Sequence, residues 1–129
     1  MREIKFRGRC INSNEFVFGD LIHGVGVKIG KIYILPNKIN LAYVKYCDAL
    51  DGVEVNPDTV SQYTGLKDKN GKEIYEGDWI QSAPGYCSFI EFKYGAFLSI
   101  YTHPEDGEEL LITDLHLPNV EIVGNIYEN

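Results

Sequence analysis

TVSQYTGLKDKNGKEIYEGDWI, residues 59–80, sets the character of the whole chain, because three glycines and an Asn-Gly pair punctuate residues that favour extended backbone. Asn70-Gly71, flanked by Lys69 and Lys72, predicts a two-residue type I′ hairpin turn, in which both central residues take positive φ. Gly65 and Gly77 mark two further places where the backbone must bend or come close to a neighbour. Asp78 is expected to accept hydrogen bonds from backbone amides of the turn beside it. Trp79 and Ile80 then open a strand whose Trp79 is expected to be buried.

Outward from this segment the pattern stays extended. Ile4, Phe6, Gly8 and Cys10 alternate with Glu3, Lys5, Arg7 and Arg9, the period of a half-buried strand. Glu15–Ile22 reads as a second strand, joined to the first through Asn12-Ser13-Asn14. Gly24, Gly26 and Gly30 lead into a short strand over Lys31–Leu35 that Pro36 stops. Leu41–Cys47 reads as a strand or a helical turn, its tyrosine and valine residues favouring strand, and Val53–Val55 follows as a strand stopped by Pro57. Asp78–Ser82, Cys87–Tyr94 and Phe97–Tyr101 continue the series. In the second of these Ile90, Phe92 and Tyr94 share one face, and Glu91 and Lys93 the other. Pro104–Gly107 is a turn. Leu110, Leu111, Leu115 and Leu117 suit one or two helical turns over Glu108–His116. Val120–Tyr127 is a last strand with a bulge at Gly124. Phe18-Gly19-Asp20-Leu21-Ile22 echoes Glu76-Gly77-Asp78-Trp79-Ile80 weakly, each read as a turn feeding a strand.

No stretch carries a long amphipathic helix. The fold class is therefore mainly β, a small barrel or sandwich of short antiparallel strands. Residues 1–129 form one domain by size, open to division near 56–77 into an N-terminal β part (1–56) and an SH3-like small barrel (78–129). A chain of 129 residues buries about two-thirds of its unfolded surface, enough to fold without a staple.

Composition narrows the function. The N-terminal residues have no apolar core of a signal peptide, and no run of about 18 apolar residues suggests a membrane span. Three cysteines, Cys10, Cys47 and Cys87, are too few and too scattered for a disulfide framework, which fits a reducing cytoplasm. The net charge is −7, and twelve acids balance twelve bases up to residue 93, so the excess lies wholly beyond Lys93. Such a surface repels phosphate backbones and argues against direct nucleic-acid binding.

The central segment resembles the signature of the YopX family, small proteins of phages and prophages in Gram-positive bacteria. The similar residues are Thr59, Val60, Gln62, Tyr63, Thr64, Gly65, Leu66, Asp68 to Gly71 (with Asn70), Tyr75, Glu76, Gly77 and Asp78. Arg2–Arg7 and Val123–Asn129, including Gly124 and Asn125, form two outer islands of likeness. This chain has Gly8 and Arg9 where relatives often carry a tryptophan, and many relatives continue beyond the last Glu-Asn into Pro-Glu-Leu-Leu. The resemblance implies a phage-encoded protein of the bacterial host cytoplasm. It implies no established activity, so it supplies no catalytic residue.

The residues themselves favour structural roles. Asp68 to Gly71 lacks the glycine and glutamate spacing of a calcium loop. Gly24, Gly26 and Gly30 miss the dinucleotide fingerprint. No two histidines or cysteines stand at metal-ligand spacing, and His103, Glu105, Asp106, Glu108 and Glu109 read as a solvated acidic turn. Asp20, Glu76 and Asp78 are the best carboxylates for acid–base work, yet each sits by a glycine where a turn role suffices. No catalytic residue, metal site or cofactor is therefore assigned. Lys5, Arg7 and Arg9 form the one basic stripe. It is expected either to pair with acids of a neighbouring strand or to meet the acidic last third of another copy. The leading expectation is a non-catalytic phage or prophage accessory protein that contacts a host or phage protein and forms a homo-oligomer. Two alternatives stand beside it: a nucleic-acid-linked regulator, as a DNA mimic or small-barrel binder, and a small metal-dependent enzyme.

Overall fold

The computed structural model describes residues 3–24, 26–36, 47–48, 52–83, 86–101, 109–115 and 117–127. Among the described residues twelve strands run in chain order: β1 Phe6–Arg9, β2 Phe16–His23, β3 Ile32–Pro36, β4 Cys47–Asp48, β5 Gly52–Val55, β6 Ser61–Lys67, β7 Glu73–Tyr75, β8 Asp78–Ala83, β9 Tyr86–Lys93, β10 Ala96–Tyr101, β11 Glu109–Leu111 and β12 Glu121–Asn125. Helix among the described residues is confined to single 3-10 turns at Gly26–Lys28, Pro57–Thr59, Ile112–Asp114 and Leu117–Asn119. The fold is mainly β, in two sheets ordered β4-β5-β3-β2-β1-β6-β7 and β11-β10-β9-β8-β12. Leu41–Tyr46, Pro104–Gly107, His103, Glu105, Asp106, Glu108, His116 and Arg2, all named above, lie outside the described residues.

The chain divides into two compact units, residues 1–62 and 63–129. Strand β6 runs through the boundary: Ser61 and Gln62 pair with β1, whereas Tyr63 and Lys67 pair with β7.

In the first unit the alternation read from the sequence sets one apolar face. Cys10, Val17, Ile34, Val53 and Val55 are fully buried, with Phe6, Leu21, Ile32 and Val60 against them. Gly8 is part of that packing, since a Cβ there would stand 2.7 Å from Val55 Cγ2. The echo around Gly19 dissolves at this level. Phe18–Ile22 lies in the middle of β2, paired with β1 and β3, and is not a turn entering a strand. Asp20 is exposed there.

The second unit is built on Ile74, Ile80, Ile90, Phe97, Ile112 and Val120, with Leu66, Leu115, Leu117 and Ile122 packed around them. Strands pair consecutively from β8 to β11, and β12 returns to β8. The described sheet ends at β11 and β12, so it is open and the barrel alternative for 78–129 is not realised. The leucine-rich stretch is shared between a strand, Glu109–Leu111, and one 3-10 turn, because pairing with β10 satisfies its first residues. The bulge of β12 is present, its register shifting between Ile122 and Gly124. Trp79 is a correction. It stays partly exposed and meets Phe89 edge-on at 5.4 Å, while its neighbour Ile80 takes the core position. Adjacent strand residues face opposite ways, so only one of the two can enter the core.

Candidate functional site

The signature segment divides into a structural network and an exposed remainder. Thr59 opens it in the first unit. Its hydroxyl donates to the Asn56 carbonyl at 2.7 Å and accepts from the Arg9 amide at 2.8 Å, fastening the 3-10 turn to the end of β1. Gln62 continues the pairing with Phe6.

In the second unit Tyr63 and Tyr75 are buried and lie ring to ring at 5.4 Å. Between them β6 bulges, with Gly65 at φ 88° and the ladder shifting register before Lys67. Thr64 fills the gap left in the ladder, donating its hydroxyl to the Ile74 carbonyl at 2.8 Å and accepting from the Leu66 amide at 3.2 Å. A hydroxyl on Cβ, close to the backbone, is the natural filler of a missing ladder bond.

The Asn70-Gly71 turn is not type I′. Gly71 is left-handed at φ 79°, but Asn70 is not. The loop is instead a longer hairpin closed by Gly71 N–H on the Asp68 carbonyl at 3.0 Å and by Asp68 N–H on the Lys72 carbonyl at 2.8 Å, the form that ends in a left-handed glycine. Asp68 explains the difference. Its Oδ1 accepts from the amides of Asn70 and Lys72, each at 2.9 Å, and its Oδ2 accepts from Ile122 of β12 at 3.1 Å. Lys69 N–H reaches the Val120 carbonyl at 2.8 Å, and its ammonium lies 3.3 Å from Glu121. Asp68 is 6% exposed. Burial alone would push its carboxyl up, but the amides of Ile122, Lys72 and Asn70 and the Lys72 charge together hold it below its ordinary 3.8.

Glu76-Gly77-Asp78 forms a second junction. Asp78, buried, accepts the Tyr75 amide at 2.8 Å, the turn role expected for it. Gly77 sits at φ 87°, its N–H donating to Ile90 and its carbonyl accepting from Ile126. A Cβ at Gly77 would stand 2.9 Å from the Tyr127 ring, so both backbone conformation and space require glycine. Gly124 pairs opposite Trp79, and Asn125 pairs with Asp78 while its side chain accepts the Tyr127 amide at 2.9 Å. Glu76 is partly exposed.

The three basic residues are not one exposed stripe. Arg7 is only 6% exposed, donates Nε to Ser61 Oγ at 3.0 Å and lies 4.8 Å from the Phe16 ring centre. Lys5 pairs locally with Glu3 at 3.3 Å. Arg9 also lies over Phe16, at 5.3 Å. Opposite β2, these side chains use an aromatic platform, which alternation alone does not reveal.

Sequence reasoning passed over an exposed turn of the second unit. Tyr94 and Gly95 join β9 to β10 with φ of 56° and 76°, and this pair forms the two-residue turn of positive φ that Asn70-Gly71 was expected to make. Tyr94 is 83% exposed and Phe92, two residues earlier, 49%. Lys93 lies 5.0 Å from the Tyr94 ring and donates to Glu109 at 2.7 Å. That hydrogen bond, opposed by slight desolvation, raises the Lys93 ammonium above its ordinary value. The available signal was Tyr-Gly between two apolar strands.

No group of three His, Cys, Asp or Glu side chains comes together among the described residues. No described helix is long and apolar enough to cross a membrane.

Comparison with known proteins places this architecture. A crystal structure of protein EF1440 from Enterococcus faecalis is similar with a TM-score of 0.54 and 23% identity, covering 100% of this chain and 96% of that one. At that identity the likeness speaks for the fold. No curated protein matches. A family model described as YopX protein matches residues 5–129, which covers both units and all the turn glycines described above, so the chain belongs to the YopX family.

Proposed function

We propose that this chain is a phage or prophage accessory protein of the bacterial host cytoplasm that acts without catalysis, through protein–protein contact including self-association. The observation that carries this reading is the β9–β10 tip. An aromatic residue stands there in left-handed backbone, strained by about 1–2 kcal/mol, yet its ring is 83% exposed and the adjoining Phe92 is half exposed. Strain and exposed apolar area at one place fit a contact surface better than a folding role. The signature residues support the same reading from the other side. Asp68, Asp78, Thr59 and Thr64 spend their polar groups on backbone partners.

Sedimentation velocity at low and high salt, on the wild type and on a Phe92→Ser/Tyr94→Ser variant, tests the proposal. The wild type should sediment as an oligomer and the variant as a folded monomer. A wild type that is monomeric at both salt concentrations and captures no protein from host lysate would overturn it.

A further inference from the structure

One aromatic ring in the first unit holds two guanidinium groups whose circumstances differ. Arg7 and Arg9 approach Phe16 at 4.8 and 5.3 Å from the ring centre. Arg7 is satisfied within the fold by Ser61. Arg9 uses its backbone amide on Thr59, but its guanidinium meets no acceptor and no carboxylate among the described residues. Its Nε is sealed from solvent with no hydrogen-bond partner. Among the described residues the guanidinium is thus held by the Phe16 ring and not by an ion pair, which leaves the donors of its terminal nitrogens for a ligand.

A cavity of about 300 Å³ lies beside it, lined by Arg9, Asn14, Glu54 and Asn56 with Ile11 and Pro57. That volume is at the small end of ligand pockets. Its polar walls define what would fit. The planar fork of a guanidinium matches a carboxylate in a two-point contact, and stacking fixes it beforehand so that little freedom is lost on binding. Asn56 Oδ1 is already committed to the Asp58 amide at 3.0 Å, which leaves its amide N–H₂ as a donor. Glu54 contributes the opposite charge, and its ion partner among the described residues, Lys31, stands at a loose 3.8 Å. A carboxylate in the wall repels a dianion such as phosphate but welcomes an ammonium or amide N–H.

We propose that this cavity binds a carboxylate-bearing ligand of amino-acid type. Its carboxylate sits on the terminal nitrogens of Arg9 and its ammonium or amide N–H points toward Glu54. A free amino acid and the C-terminal residue of a peptide share this chemistry, and the probes separate them.

The test is a titration of the full chain followed through the Arg9 Nε–H resonance, using glycine, N-acetylglycine, N-acetylglycinamide and inorganic phosphate. Glycine or N-acetylglycine should give a saturable shift at millimolar concentration, and N-acetylglycinamide, which lacks the carboxylate, should give none. Binding by glycine alone identifies a free amino acid, and binding by N-acetylglycine identifies a chain terminus. Arg9→Lys, followed through the backbone amide resonances of Glu54 and Asn56 because the Nε–H is gone, should weaken the bound probe about tenfold, the loss of one two-point contact. Glu54→Gln, which leaves Arg9 and its stacking in place, should narrow the preference for the carboxylate probe over phosphate. The proposal is overturned if no probe saturates, if phosphate binds the wild type as tightly as the carboxylates, or if Glu54→Gln leaves that preference unchanged. Arg9 would then serve Phe16 by stacking only.

Discussion

Two hairpin turns of the second unit, Asn70-Gly71 and Tyr94-Gly95, reverse what their sequences promise. Asn70-Gly71 is the favoured pair for a type I′ turn, yet only its glycine is left-handed, and the loop extends from Asp68 to Lys72. Tyr94-Gly95 is an unfavourable pair, yet both residues take positive φ in a two-residue connection. The difference lies in what each turn is attached to. Asp68 binds two amides of its own loop and one of β12, so tertiary bonding sets the loop length there. Among the described residues the β9–β10 turn has no such anchor. Its geometry follows from the unbroken register of the two strands, which leaves two residues for the connection whatever they are.

Removing the anchor is the most damaging way to break this contrast. Asp68→Ala should cost about 3 kcal/mol in urea denaturation, since three backbone donors lose a charged acceptor and part of that cost is burial without a partner. The carboxyl is held below its ordinary 3.8 in the folded chain. Its contribution is therefore complete above that pH and is lost as pH falls through the lower, folded value. Asp68→Asn should flatten this acid loss, which pH-dependent unfolding would measure. A smaller effect belongs to Gly71→Ala, about 1 kcal/mol, for placing a side chain in left-handed backbone. Tyr94→Asn should act in the opposite direction and raise stability by about 0.5–1 kcal/mol, because asparagine tolerates that backbone. The smallest change separates the two turn types. Asn70→Ala should stay within about 0.5 kcal/mol of wild type, as for a surface residue of ordinary φ; a loss as large as that of Gly71→Ala would restore the type I′ reading.

Much of this fold was readable along the chain, and the unreadable parts have a common cause. Strands β1, β2, β3, β5, β8, β9, β10 and β12 follow local alternation and turn residues, which act over a few positions. Asp78 was readable too, since its partner Tyr75 is three residues away. Asp68 was not, because its third donor, Ile122, is 54 residues distant. Arg7 was misjudged for the same reason. Its partner Ser61 is also 54 residues away, and nothing nearby indicates that an outward-facing arginine is enclosed. Trp79 misled differently: size suggested the core, but parity along β8 gave the place to Ile80. The cavity beside Arg9 joins residues from β1, the turn before β2 and the end of β5, a juxtaposition that no single stretch announces.

The hold of Asp68 and Lys69 on Ile122 and Val120 also bears on how the protein behaves at high concentration. The outer side of β12 would otherwise offer free amides and carbonyls to any passing strand, the start of runaway aggregation. A side-chain carboxylate and one loop amide occupy that side without being able to propagate a ladder. With the Ile122 amide and the Val120 carbonyl so occupied, this part of the margin is closed to strand addition.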